Sequence, residues 1–171
     1  MIHLEHAIEV QAPADRVWGA LWDVPRLAGY VSGVTDVVEV EPRARYRAHV
    51  AQRLGPFRVH FALDVSVQEV REPEALRVSV SGRDEHLLGL LKQTTTVFVE
   101  PRGPMLTRVR IVTDLSIAGK LGQLGHGIIV RKAEEVVAAF TQAFRNDIER
   151  GVVGTPTTEP DAGPPESMIP R

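Results

Sequence analysis

Cysteine is absent from this chain of 171 residues, which excludes disulfide frameworks, thiolate metal sites and cysteine nucleophiles together. A charge excess is missing too. Against 20 basic residues stand 22 acidic ones, a net charge of −2, without the basic surplus that marks nucleic-acid binding. No apolar run approaches the ~18 residues of a transmembrane helix. The opening Met1-Ile2-His3-Leu4-Glu5-His6 interrupts its apolar residues with charge and lacks the pattern of a secretion signal, so a cytoplasmic location is expected. No Gly-x-Ser-x-Gly elbow occurs, because Val80-Ser81-Gly82 lacks the first glycine. The glycines at 119, 122, 125 and 127 precede no Gly-Lys-Ser/Thr and read as a close passage between strand end and helix, or as a hinge. The six histidines fall at no metal-binding spacing. His3 and His6 sit on opposite faces of a strand, His49 and His60 point outward, and His126 stands alone, so no metal site is expected.

What is present is periodicity. The hydrophobic fraction, 43%, suits one packed domain. Ile2, Leu4, His6, Ile8 and Val10 alternate as one face of a strand. Pro13 opens a helix carrying Val17, Trp18, Leu21 and Trp22; a second short helix runs through Leu27 and Tyr30 to the turn at Ser32-Gly33. The period then falls to two. Val34, Asp36, Val38 and Val40 share a face, as do Tyr46, Ala48, Val50 and Leu54, and the run Phe57 to Val67 alternates most cleanly. Leu76 to Val80, a strand near Leu88–Val99 and a strand from Met105 to Ile117 follow, the last two joined by a turn at Pro101-Arg102-Gly103-Pro104. From Gly119 to Arg150 the spacing widens to threes and fours through Leu121, Leu124, Ile128, Ala133, Val136, Val137, Phe140, Phe144 and Ile148. At ~1.5 Å per residue this helix is about 45 Å long. Five prolines and three glycines beyond it make 151–171 a flexible tail. The expected fold is α+β: about seven antiparallel strands in a curved sheet around a long C-terminal helix, with two short helices after the first strand, all within residues 1–150.

Val10-Gln11-Ala12-Pro13 followed by Val17-Trp18 and Leu21-Trp22-Asp23 resembles the opening of START-like (SRPBCC, helix-grip) domains. Finer similarity to the family of the carbon monoxide dehydrogenase G-subunit lies in Leu54-Gly55-Pro56 before the long strand, Thr107 in the last strand, and Ile117-Ala118-Gly119-Lys120-Leu121-Gly122-Gln123-Leu124-Gly125 leading into the helix, with Ala133 and Phe140 within it. The chain departs from that family at Ser32-Gly33, where Pro-Gly is usual, and at His86–Leu91, where small glycine-rich residues are usual. The resemblance implies an elongated apolar cavity between sheet and helix. It also implies association with a molybdenum-containing carbon monoxide dehydrogenase or related oxidase, through membrane recruitment or handling of a quinone-type acceptor.

The expected function is therefore that of a non-enzymatic binding protein for a hydrophobic small molecule, isoprenoid or aromatic, the resemblance implying a quinone. It has no metal or covalent cofactor and touches the inner face of the membrane peripherally. Expected lining residues are Phe61, Leu63, Val97, Val109, Ile111, Leu124, Ile128, Val137 and Phe140, with Leu27 and Tyr30 at the mouth and His6, Tyr46, Gln93 and Thr95 as polar contacts. Outward-facing Arg45, Arg47, Arg53 and Arg58 form a candidate patch for anionic lipid or an acidic partner, with an ordinary solvated face as the alternative. Two other readings stay open: a polyketide cyclase or dehydratase, which needs ionisable groups aimed inward, and an interaction domain whose core is full.

Overall fold

The computed structural model describes residues 1–86 and 89–162, with side chains through 151. Its elements run β1 (Ile2–Val10), α1 (Ala14–Ala20), α2 (Val24–Ala28), β2 (Val34–Glu41), β3 (Arg45–Leu54), β4 (Phe57–Arg71), β5 (Ala75–Asp84), β6 (Leu90–Gly103), β7 (Leu106–Ala118), a 3-10 turn η1 (Lys120–Leu124) and α3 (His126–Ala162). One seven-stranded sheet has the order β1-β7-β6-β5-β4-β3-β2, every neighbour antiparallel. Tight turns make the meander from β2 to β7, and the β1–β2 crossover, carrying α1 and α2, spans from one edge to the other. The expected α+β helix-grip architecture is the observed one.

Alternation produces these strands where residues face a core on one side only. In β1, Ile2, Ile8 and Val10 are buried while His3, Glu5, Ala7 and Glu9 are exposed; β7 repeats the pattern at Thr107, Val109, Ile111, Thr113 and Leu115. The Thr107 hydroxyl donates to the Ala12 carbonyl at 2.8 Å, with no solvent exposure at either residue. This contact ties the start of β7 to the bend between β1 and α1. Buried Val17, Trp18, Phe144 and Ile148 join Ile8, Val10 and Val109 in the main core cluster. A second cluster, Leu54, Val59, Phe61 and Leu121, closes the η1 end of the trough. A third, Ile2, Leu115 and Ile129, holds the start of α3 to β1.

Several boundaries differ from expectation. In β2 the inward residue is Val37, while Val38 and Val40 are exposed, because Asp36 adopts φ +55° and the register slips between Thr35 and Val38. The bulge exchanges the two faces of the strand. The turn expected at 101–104 starts later, since Pro101 pairs with Thr107 in β6 and Gly103 with Leu106. The helix expected from Gly119 is two elements, separated where Gly125 takes φ +105°. The helix continues past Gly151 to Ala162, so its end does not coincide with the expected tail boundary. Leu88 and the remaining tail residues 163–171 lie outside the described residues.

Candidate functional site

Between α3 and the concave face of the sheet lies a cavity of about 360 Å³. Strand alternation aims Ala48, Val65, Val78, Val97, Val109 and Ile111 into it, and the apolar stripe of α3 supplies Val136, Val137, Phe140 and Phe144 from the other side. Trp22, Val24, Leu27, Val31 and Val37 close the side between α2 and β2. The Trp22 ring is held from both flanks, edge-on to Trp18 at 6.1 Å and under the Arg43 guanidinium at 4.6 Å.

Of the residues expected from sequence, the structure places Leu27, Val97, Val109, Ile111, Val137 and Phe140 in the wall, together with Tyr46, Gln93 and Thr95. Phe61, Leu63, Leu124 and Ile128 are elsewhere, in the cluster at the η1 end. Alternation identifies which face a residue occupies but not how far along a strand it lies. The 15 residues of β4 outrun the cavity, which is met by Val65 and Val67 near the far end of the strand. His6 stands on the inner face of β1 opposite Ile111 but does not reach the space. Tyr30 also lies off the wall, its ring edge-on to Phe140 at 5.7 Å and Phe144 at 6.3 Å. Arg45, Arg53 and Arg58 are exposed, Arg53 and Arg58 directly opposite one another on β3 and β4. Arg47 is different: it reaches the cavity rim and pairs with Asp64 at 3.4 Å.

Asp147 is the residue that sequence reading missed. It receives the Tyr30 hydroxyl and a forked contact from Arg26, with Nε at 2.6 Å and the second nitrogen at 3.1 Å. This fastens α2 to α3 behind the cavity wall. The only local signal is its position one turn after Phe144. Arg26 and then Tyr30 hold the Asp147 carboxyl below the ordinary carboxylate range. Burial, with the Asp147 charge adding, pushes the Tyr30 phenol up to about 12, so it stays a donor at neutral pH. A carboxyl with a depressed folded-state value stabilises fully above its unfolded value near 4. That contribution fades as pH falls through the folded value. Tyr30→Phe is therefore expected to cost about 1.5 kcal/mol at neutral pH, read as a lower urea midpoint. The deficit should shrink in acid on the low side of the Asp147 titration. A deficit unchanged across that range would refute the ionic clamp.

The wall carries little polarity. Gln93 donates through Nε2 to Thr95 Oγ1 at 2.9 Å, and the Thr95 and Thr113 hydroxyls are 3.0 Å apart across β6 and β7. Thr141 turns its hydroxyl to the carbonyls of Val137 and Ala138 in its own helix. Burial raises the Tyr46 phenol above its ordinary value, with Glu39 adding to the shift. Among the described residues no His, Asp and Glu cluster could hold a metal, and no helix is long and apolar enough to cross a membrane.

The fold recurs in solved structures of low sequence identity. A conserved protein from Geobacillus kaustophilus superposes with a TM-score of 0.79 at 15% identity, over 88% of this chain and 97% of that one. A START superfamily protein from Mycobacterium smegmatis gives 0.61 at 15% identity, over 86% and 97%. The Zhui aromatase/cyclase from Streptomyces sp. R1128 gives 0.66 at 16% identity, over 88% and 95%. No curated protein sequence matches the chain. The sequence profile of the carbon monoxide dehydrogenase G-subunit (CoxG) matches residues 7–149, which takes in the end of β1, β2 to β7 and most of α3. The chain belongs to the CoxG family of carbon monoxide dehydrogenase G-subunits.

Proposed function

We propose that this protein is a non-enzymatic carrier of a hydrophobic small molecule, of quinone or other isoprenoid or aromatic type, serving a molybdenum-containing carbon monoxide dehydrogenase or a related oxidoreductase. The observation that carries the reading is the apolar space left between α3 and the sheet. Burying ~300 Å² of apolar ligand surface there is worth about 7 kcal/mol before ordering costs, the main part of the affinity a carrier needs. Membership of the CoxG family supports the choice of client enzyme.

Other features support the same reading. A cyclase needs a general acid or base within reach of its substrate, and the described wall residues include no carboxylate or imidazole. The one phenol among them, Tyr46, is shifted towards staying protonated. Arg45, Arg53 and Arg58 form no ion pair among the described residues, which favours a peripheral approach of this face to anionic lipid at the cytoplasmic side of the membrane.

Organic extraction of the purified full chain followed by mass spectrometry is expected to release a quinone or related compound. Adding the loaded protein to a purified molybdenum carbon monoxide dehydrogenase should speed electron delivery to that acceptor. An empty extract combined with no saturable uptake of menadione would refute the carrier, and conversion of an aromatic polyketide precursor would favour the cyclase reading instead.

A further inference from the structure

A polar strip of the cavity wall, Gln93, Thr95 and Thr113, has an incomplete hydrogen-bond count. The Gln93 amide offers two N–H groups and a carbonyl, and Thr95 and Thr113 offer one hydroxyl proton each. Thr113 is 5% exposed. The contacts present are Gln93 Nε2 to Thr95 Oγ1 and Thr95 to Thr113. Either direction of the threonine pair leaves one hydroxyl proton over. One amide N–H and the amide oxygen also find no partner among the described residues. Gln93, Thr95 and Thr113 line the open space, as do Trp22 and Tyr46, whose indole N–H and hydroxyl are themselves buried. The strip lies on the second and third strands from the β1 edge: Thr95 on β6 faces Thr113 on β7 and Val78 on β5. Charge is missing around it. Arg47 is the one charged side chain among the described wall residues, and Asp64 already faces its guanidinium. A carboxylate or ammonium entering the space would lose its water without gaining a counter-ion.

We propose that the Gln93–Thr95–Thr113 strip selects uncharged ligands bearing a ring ketone or hydroxyl, and seats that oxygen against β6 and β7. The leftover donors satisfy a ketone, and the amide oxygen accepts from a hydroxyl. Apolar burial then supplies affinity while the strip supplies orientation and discrimination. The proposal rests on the carrier reading and narrows it to a neutral, oxygenated class.

The test uses the full chain and three probes of similar ring size: menadione, methylnaphthalene, which lacks the oxygens, and naphthoate, which is charged. Binding is followed by calorimetry and by the fluorescence of Trp22, which lines the space. Gln93→Leu combined with Thr95→Val is expected to weaken menadione about tenfold, the loss of one hydrogen bond, and to leave methylnaphthalene within about twofold. Thr95→Val alone, near-isosteric and checked by thermal melting, gives the same direction should the double variant fold poorly. Naphthoate is expected not to bind near neutral pH. Equal shifts for menadione and methylnaphthalene, no shift for either, or naphthoate binding as tightly as menadione would each overturn the selectivity while leaving the carrier intact. Absence of binding by both neutral probes would overturn the carrier reading and this inference with it.

Discussion

Gly33→Ala is expected to cost about 4 kcal/mol of folding stability, a loss at the upper end of single substitutions. Gly33 joins α2 to β2 with φ +85°. A Cβ there would lie 2.1 Å from the Ala51 carbonyl oxygen and 3.2 Å from its carbon. Left-handed backbone alone costs an L-residue roughly 1–2 kcal/mol. The remainder comes from separating Gly33 from β3, including the bond from Ala51 N to Gly33 O at 3.0 Å. Both obstructing atoms are backbone, so no rotamer change relieves the clash. Gly19→Ala is the matched control. Gly19 lies within α1 with nothing inside 4 Å of its Cβ position, and alanine there should add about 0.5–1 kcal/mol. Chemical denaturation of both variants checks the pair, and a Gly33→Ala protein as stable as the parent would refute the close approach at this junction.

Val78→Trp is expected to weaken ligand uptake about 100-fold while sparing the fold. Val78 projects into the space beside Thr95. In a solid core such an insertion costs about 1–3 kcal/mol, but here the ring has room to enter. If the ring displaces about 110 Å² of ligand contact, the loss at about 25 cal/mol per Å² is about 2.7 kcal/mol, or about 100-fold in affinity. Menadione titration read beside a melting curve separates the outcomes. Weakened binding with an unchanged or raised midpoint fits an open cavity. A midpoint lowered by several degrees, with no menadione binding by either parent or variant, would mean that the interior is already filled, and would favour a ligand-free interaction domain.

Much of the architecture was legible in the order of residues. Strict alternation in β1, β4 and β7 fixed their inward faces because one side meets a core and the other meets water. The Val10 to Asp23 segment resembles a known domain opening, and Thr107 anchors that bend. Legibility failed where a single backbone torsion outweighs pattern. Asp36 at φ +55° exchanges Val37 for Val38 on the inner face of β2, although the run Val37-Val38 is apolar at both positions. It failed again where position along a strand decides the neighbour. Phe61 and Val65 share a face of β4, yet Phe61 packs at η1 and Val65 borders the cavity. Tyr30 and Asp147 meet across 117 positions of chain, and neither residue carries a local mark of the other.

The shape of the trough depends on the curl of the sheet as well as on the side chains that line it. Its two rims, β1 and β2, do not pair with each other among the described residues, and the crossover carrying α1 and α2 runs from one to the other. Irregular register in β2, and between Val67 and Glu69 of β4, sets how tightly the outer half of the ribbon rolls. Moving one such kink by a residue would change both the girth of the space and the side chain presented to it, as the bulge at Asp36 already does in turning Val37 rather than Val38 inward.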